Sequence, residues 1–196
     1  MSKYVEKVER EVRVYIHNDL SNAAYHLKEN VLRIKKEGEA GISLHILGAL
    51  TLYAFTFEAK INFLGSKLNP DWKERQSFHK KLEEVFRLSG IEMDKEQRPL
   101  SSLLRLKEFR DIVAHGKPVE NREEYEQIVD RGDRDELELH YPAPHDEYCE
   151  LEYLLQVDED LDNFWETALK AAGIELYETL THFSGGRTYL READET

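Results

Sequence analysis

The chain has 196 residues, 40% of them apolar and 34% charged, with five prolines and ten glycines, which excludes collagen-like or low-complexity character and fits one globular domain. A single cysteine, Cys149, excludes an intramolecular disulfide framework and fits a reducing, cytoplasmic compartment. The net charge of −13 is unevenly spread, with 21 Lys and Arg against 17 Asp and Glu in residues 1–117 and 6 against 23 in residues 118–196, so the acidity does not exclude an anionic partner for the N-terminal part.

Met1 to Lys7 has no apolar run behind its basic residues, so no secretory signal is expected. From Tyr4 to about Lys36, Val5, Val8, Val12, Tyr15 and Ile16, then Ala24, Leu27, Val31 and Ile34, recur at helical spacing. Asn18-Asp19 or Ser21-Asn22 offers an N-cap that would split this stretch into two helices, and Glu37-Gly38 is the expected stop. The 18 residues from Ala40 to Phe57 carry no charge, but Ser43, His45, Thr51 and Thr56 interrupt them and Glu58 and Lys60 follow. That pattern predicts a buried central helix from Ser43 to Leu64, ending at Gly65, in preference to a membrane span.

Asn69-Pro70-Asp71-Trp72 predicts the start of a helix reaching about Leu88, with Ser89-Gly90 closing it. The next helix is expected from Pro99 or Ser101-Ser102 to Gly116-Lys117-Pro118, and a short acidic helix from Arg122 to Val129. Apolar residues alternate in Glu136–Tyr141 and again in Cys149–Tyr153, predicting a β-hairpin near residues 136–155. Asp158 to about Phe183 predicts a last amphipathic helix, after which Ser184-Gly185-Gly186 opens a polar tail. The expected fold is therefore mainly α, a helical bundle with a small β-hairpin, with one domain over residues 1–186 and a tail over 187–196.

The informative segment is Arg110-Asp111-Ile112-Val113-Ala114-His115-Gly116, at the end of a predicted helix. Five helical steps separate the arginine from the histidine by about 140° and a rise of about 7.5 Å. The two side chains meet at one site only if the helix unwinds at His115 or a second copy supplies the partner. Gly116 and Pro118 are expected where a helix ends, and Asp111, four residues before His115, is placed to orient its imidazole. An arginine and a histidine without metal ligands suit cleavage of an RNA phosphodiester: the imidazole moves the proton and the guanidinium holds the non-bridging oxygens. Attack by the 2′-hydroxyl leaves a 2′,3′-cyclic phosphate and needs neither metal nor cofactor.

This segment resembles the R-x4-6-H motif of the HEPN superfamily, in which a polar residue follows the arginine and a glycine often follows the histidine. The resemblance extends to a long apolar helix earlier in the chain and does not cover residues 136–155. It implies a helical bundle, a homodimer whose arginine and histidine meet across the interface, and a metal-independent ribonuclease of a toxin–antitoxin or phage-defence system. It also implies an antitoxin or a nucleotidyltransferase-like protein as partner, and includes members that only bind nucleotides or act as scaffolds. Two other pairs, Arg10 with His17 and Arg134 with His140, have a similar spacing without the surrounding pattern.

Residues 98–117 carry a balance of +3, so Arg105, Lys107 and Lys117 are candidate RNA contacts, or cations that merely offset nearby carboxylates. Glu58 and Asn62, one turn apart, either hold Arg110 or His115 from behind or mark the exposed end of their helix. His140, His145, Asp146 and Cys149 match no compact zinc spacing, and no metal is expected. The 23 carboxylates after residue 117 read as a solvated face or as a docking surface for a basic partner, which would make the protein an acidic adaptor.

Overall fold

The computed structural model describes residues 4–38, 40–118, 120, 122 and 143–192. The fold is mainly α with one small antiparallel β-sheet. Its elements run β1 (Tyr4–Arg13), α1 (Ile16–Glu37), α2 (Ile42–Leu68), α3 (Phe78–Ser89), α4 (Leu100–Ala114), α5 (Leu151–Ala172) and β2 (His182–Glu192), with single helical turns at Asp146–Tyr148 and Leu176–Thr179.

Helix α2 is the centre of the bundle, in contact with α1, α3, α4 and α5. It is long and apolar enough to cross a membrane by length and composition alone. Here Ile46, Leu50, Phe57, Ile61 and Leu64 are instead buried against the other helices. Phe57 meets Phe164 of α5 edge-on, with centroids 5.2 Å apart, and Phe78 of α3 at the same separation. Asp158 of α5 ties three helices by accepting from Lys28 Nζ of α1 at 2.8 Å and from Tyr53 Oη of α2 at 2.5 Å.

The sheet lies where the sequence pattern did not place it. Tyr4–Arg13, expected as the first turns of a helix, is a strand, and the predicted split at Asn18-Asp19 or Ser21-Asn22 does not occur; α1 is continuous from Ile16. Val8, Arg10, Val12 and Val14 satisfy a period of two as well as the four-residue spacing of Val8 and Val12, and the β-branched valines favour the extended form once a partner strand is available. That partner is β2, which includes Phe183 and Ser184-Gly185-Gly186. Residues 187–192 are thus strand and not tail.

Of the hairpin expected near 136–155, residues 136–142 lie outside the described residues, as do 123–129 of the acidic helix. Leu151–Tyr153 belongs to α5, because Tyr153, Leu154, Val157, Leu161, Phe164, Ala168 and Leu169 form one continuous buried helical stripe. The predicted extension of this helix to Phe183 fails at Gly173, whose φ of +66° closes α5 in the left-handed region.

Asn69-Pro70-Asp71-Trp72 does not start a helix either. The Asn69 Oδ1 accepts the Asp71 N–H at 2.9 Å and its carbonyl accepts the Trp72 N–H at 3.1 Å, making a turn, and α3 begins only at Phe78. The turn swings Trp72 onto Gly65, so α2 passes through that glycine and ends at Leu68. A Cβ at Gly65 would lie 2.3 Å from the indole ring, whereas one at Gly48 of the same helix would meet Leu27 Cδ1 at an ordinary 3.5 Å. Gly65→Ala should therefore cost about 1–3 kcal/mol through overpacking. Gly48→Ala should be neutral or stabilise by up to about 1 kcal/mol through helix propensity. Urea midpoints of the two variants check this, and equal midpoints would show that Trp72 yields without cost.

Candidate functional site

Helix α4 buries Leu103, Leu106 and Phe109, which places Arg110, the next residue, at the margin of the core facing α2. Its Nη2 donates to Glu58 Oε2 at 2.5 Å and its Nη1 lies 2.9 Å from Asp111 Oδ1. Glu58 Oε1 accepts from Lys81 Nζ of α3 at 2.6 Å, and Asp111 Oδ2 accepts from Lys107 Nζ at 2.5 Å. Lys81, Glu58, Arg110, Asp111 and Lys107 thus form one chain of alternating charge across α2, α3 and α4. Three cations and two carboxylates leave it one positive charge in excess.

The chain is graded in burial. The Lys81 side chain is 1% exposed and that of Glu58 26%. Burial by itself would push the Glu58 carboxyl up, but Lys81 and Arg110 outweigh it and hold the carboxyl below its ordinary range. Glu58 is therefore anionic and anchors the guanidinium, the role that its spacing from Asn62 left open. Asn62 makes no bond to Arg110; its Oδ1 is buried without a hydrogen-bond partner among the described residues.

His115 is the C-cap of α4, exposed, with its backbone N–H on the Asp111 carbonyl at 3.0 Å. The partners of the Asp111 carboxylate are Lys107 and Arg110, and no side-chain hydrogen bond joins it to His115 among the described residues. Arg110 is drawn inward to Glu58 of α2, while His115 stands exposed at the helix end.

The other cations are placed differently from one another. Arg105 Nη2 donates to the Glu147 carbonyl at 3.0 Å, and its guanidinium covers the rings of Tyr148 and Tyr153 at 5.0 and 4.5 Å. It therefore joins α4 to α5 and is occupied within the fold. Lys107 is taken up by Asp111, whereas Lys117 is exposed beyond the end of α4. Cys149 is half-buried, and burial together with Asp146 pushes its thiol up to about 11, the opposite of the shift that activates a thiolate. No group of three or more His, Cys, Asp or Glu able to hold a metal occurs among the described residues.

Beside the charged chain opens a cavity of about 490 Å³ lined by residues that include Tyr15, Phe55, Glu58, Asn62, Phe63 and Glu74. His17 borders it, packed between Phe63 and Trp165 with centroids at 4.8 and 5.3 Å. Lys60 Nζ lies over the ring of that tryptophan, 5.0 Å from its centroid. Burial, opposed by Asp162 and Asp158, lowers the Lys60 ammonium to about 8, and burial with the Lys60 charge lowers His17 to about 4.

Sequence reasoning missed Lys81, Lys60 and His17. Lys81 falls on the apolar stripe Phe78, Leu82 and Val85, a position where a lysine requires a buried carboxylate, and that was the available signal. Comparison with protein-family models, with curated proteins and with solved structures finds no match to this chain.

Proposed function

We propose that this protein is a metal-independent endoribonuclease of HEPN type, acting as a cytoplasmic homodimer in a toxin or defence setting. The observation that carries the reading is the arrangement at the end of α4, where Arg110 is held by the anionic Glu58 while His115 is exposed beside Gly116. In the reaction His115 takes the 2′-hydroxyl proton or supplies one to the departing 5′-oxygen. The 2′-oxygen bonds to phosphorus as the bond to the 5′-oxygen breaks, which leaves a 2′,3′-cyclic phosphate and a 5′-hydroxyl. Arg110 bears on the non-bridging oxygens as their charge grows. Arg110 drawn toward Glu58, with His115 at the exposed helix end, favours a site whose two residues come from two subunits.

The test is RNA cleavage by the purified chain in EDTA, with analysis of the ends produced. Arg110→Ala and His115→Ala should each lower the rate by on the order of 10²-fold or more. Mixed together, the two variants should recover activity, since the heterodimer keeps one Arg110 facing one His115. Cleavage that neither substitution affects ends the proposal, and a mixture as inactive as its parts assigns both residues to one subunit.

A second reading, a catalytically silent HEPN-like bundle that binds a protein or nucleotide, is favoured by one observation. Glu58 and Asp111 together neutralise Arg110, so a phosphate must compete with two carboxylates for it. RNA that stays intact with wild-type chain, with or without divalent cations, selects this reading.

A further inference from the structure

The two strands form a ribbon that stands apart from the helical body, anchored at its base where Tyr15 N–H donates to Thr181 Oγ1 at 3.0 Å and Asn18 Nδ2 to the Thr179 carbonyl at 2.9 Å. From Glu6 to Arg13 the register is regular, Glu6 opposite Tyr189 and Arg13 opposite His182, with one irregularity between Val5 and Glu6. Val8 and Val12 therefore share a face with Phe183 and Tyr189, and the Tyr4 ring meets Tyr189 edge-on at 5.5 Å. Tyr4, Val8, Val12, Phe183 and Tyr189 are 47–64% exposed. The opposite face carries Lys7, Glu9, Glu11 and Arg13.

The outer edge of β1 is ten residues long, about 33 Å, has no proline, and meets no third strand among the described residues. Such an edge is a template for another strand, and the sequence of β1 indicates which one. Laid antiparallel against itself with Val8 opposite Val8, it places Glu6 opposite Arg10, Lys7 opposite Glu9 and Tyr4 opposite Val12, each pair occurring twice. Shifting the register by one residue either way sets Glu6 against Glu9 or Lys7 against Arg10. Shifting it by two sets Lys7 against Lys7 or Glu9 against Glu9. Pairing Glu9 with Arg10 also avoids like charges, but any odd shift sets the apolar face of one ribbon beside the charged face of the other. Val8-centred pairing is thus the one register near the strand centre that keeps both apolar faces together without a like-charge pair. Glu6 and Arg10, on the apolar face, make no ion pair among the described residues and find their partners in that register.

We propose that a second copy of this chain docks along the β1 edge in the Val8-centred register, forming a four-stranded sheet β2-β1-β1-β2 with the apolar faces of both ribbons on one side. The sheet rests on the ribbon alone and stands or falls independently of the ribonuclease reading. Each protomer supplies Glu6 to the other's Arg10 and Lys7 to the other's Glu9. Directly opposed residues have Cα atoms about 4.5–5.5 Å apart, which a disulfide can span.

Light scattering or sedimentation of the full chain should find a dimer. Glu6→Arg sets arginine against arginine and Arg10→Glu sets glutamate against glutamate, twice in each dimer. Each should raise the dimer dissociation constant by on the order of tenfold or more. An equimolar mixture of the two variants should dimerise again, because every 6–10 pair is then of opposite sign. Val8→Cys should cross-link on mild oxidation, whereas Glu9→Cys, opposite Lys7, should not. A monomeric wild type at tens of micromolar overturns the proposal. So does a dimer indifferent to both charge reversals, which would assign association to another surface, such as the end of α4.

Discussion

Glu58→Gln should lower the free energy of unfolding by roughly 3 kcal/mol at neutral pH, while Lys81→Met should cost about 1 kcal/mol or less. The asymmetry follows from what each change leaves behind. Without the Glu58 charge, the ammonium of Lys81, 1% exposed, has only neutral acceptors, an amide oxygen and the Glu74 carbonyl at 3.3 Å, and Arg110 keeps Asp111 as its carboxylate. Breaking a fully buried pair costs about 3–5 kcal/mol, and the exposed quarter of Glu58 places this one at the low end. Lys81→Met instead removes the buried charge, fills the space with an apolar chain and leaves the Glu58–Arg110 pair intact.

Acid supplies a second measurement of the same interaction. A carboxyl held low in the fold contributes its full stability above its ordinary value of 4.5 and loses it as pH falls through the lower, folded value. The deficit of Glu58→Gln should therefore shrink below about pH 4.5. Urea titrations of the two variants at pH 7 and at pH 3.5 check both statements. Equal costs for the two substitutions at pH 7 would show that Glu58 is not the anchor of this network.

Between pH 6.5 and 4 the fold should lose about 3 kcal/mol on account of His17 alone. The unfolded imidazole takes a proton near 6.5, whereas in the fold burial and the nearby Lys60 delay this to about 4. The unfolded chain thus binds the extra proton throughout that window. Stability is full above pH 6.5 and drains as the pH falls. Lys60 remains charged there, its own value being about 8, so it opposes protonation of His17 over the entire range.

His17→Phe keeps a ring against Phe63 and Trp165 and cannot be protonated. Its urea midpoint should therefore fall less steeply than that of wild type between pH 7 and 4.5. Parallel midpoint curves would remove His17 from the account. Because the Glu58 contribution is lost only below about pH 4.5, the two effects separate along the pH axis.

Much of the helical body was legible because helices are local. The i, i+3, i+4 spacing of Ala24, Leu27, Val31 and Ile34, the uncharged run before Glu58 and the glycine stops at Gly38 and Gly90 specify α1, α2 and the end of α3 without reference to the rest of the chain. The end of α4 at His115 was equally legible from Gly116 and Pro118. Glu58 was visible as a carboxylate closing an apolar run, but its partners were not. Arg110 lies 52 residues away and Lys81 lies on another helix, and no local pattern encodes which faces of α2, α3 and α4 meet.

The sheet was decided by tertiary structure alone. Its strands lie at opposite ends of the chain, Val12 against Phe183, and each read by itself supports another state: β1 a helix through Val8 and Val12, β2 a tail through Ser184-Gly185-Gly186. A strand is stabilised by its neighbour's backbone and side chains, so its pattern becomes decisive only when that neighbour is in place. The same holds for Gly65, a helix stop by its residue type and a helix interior in the fold, because the indole of Trp72 occupies the space where any side chain would be.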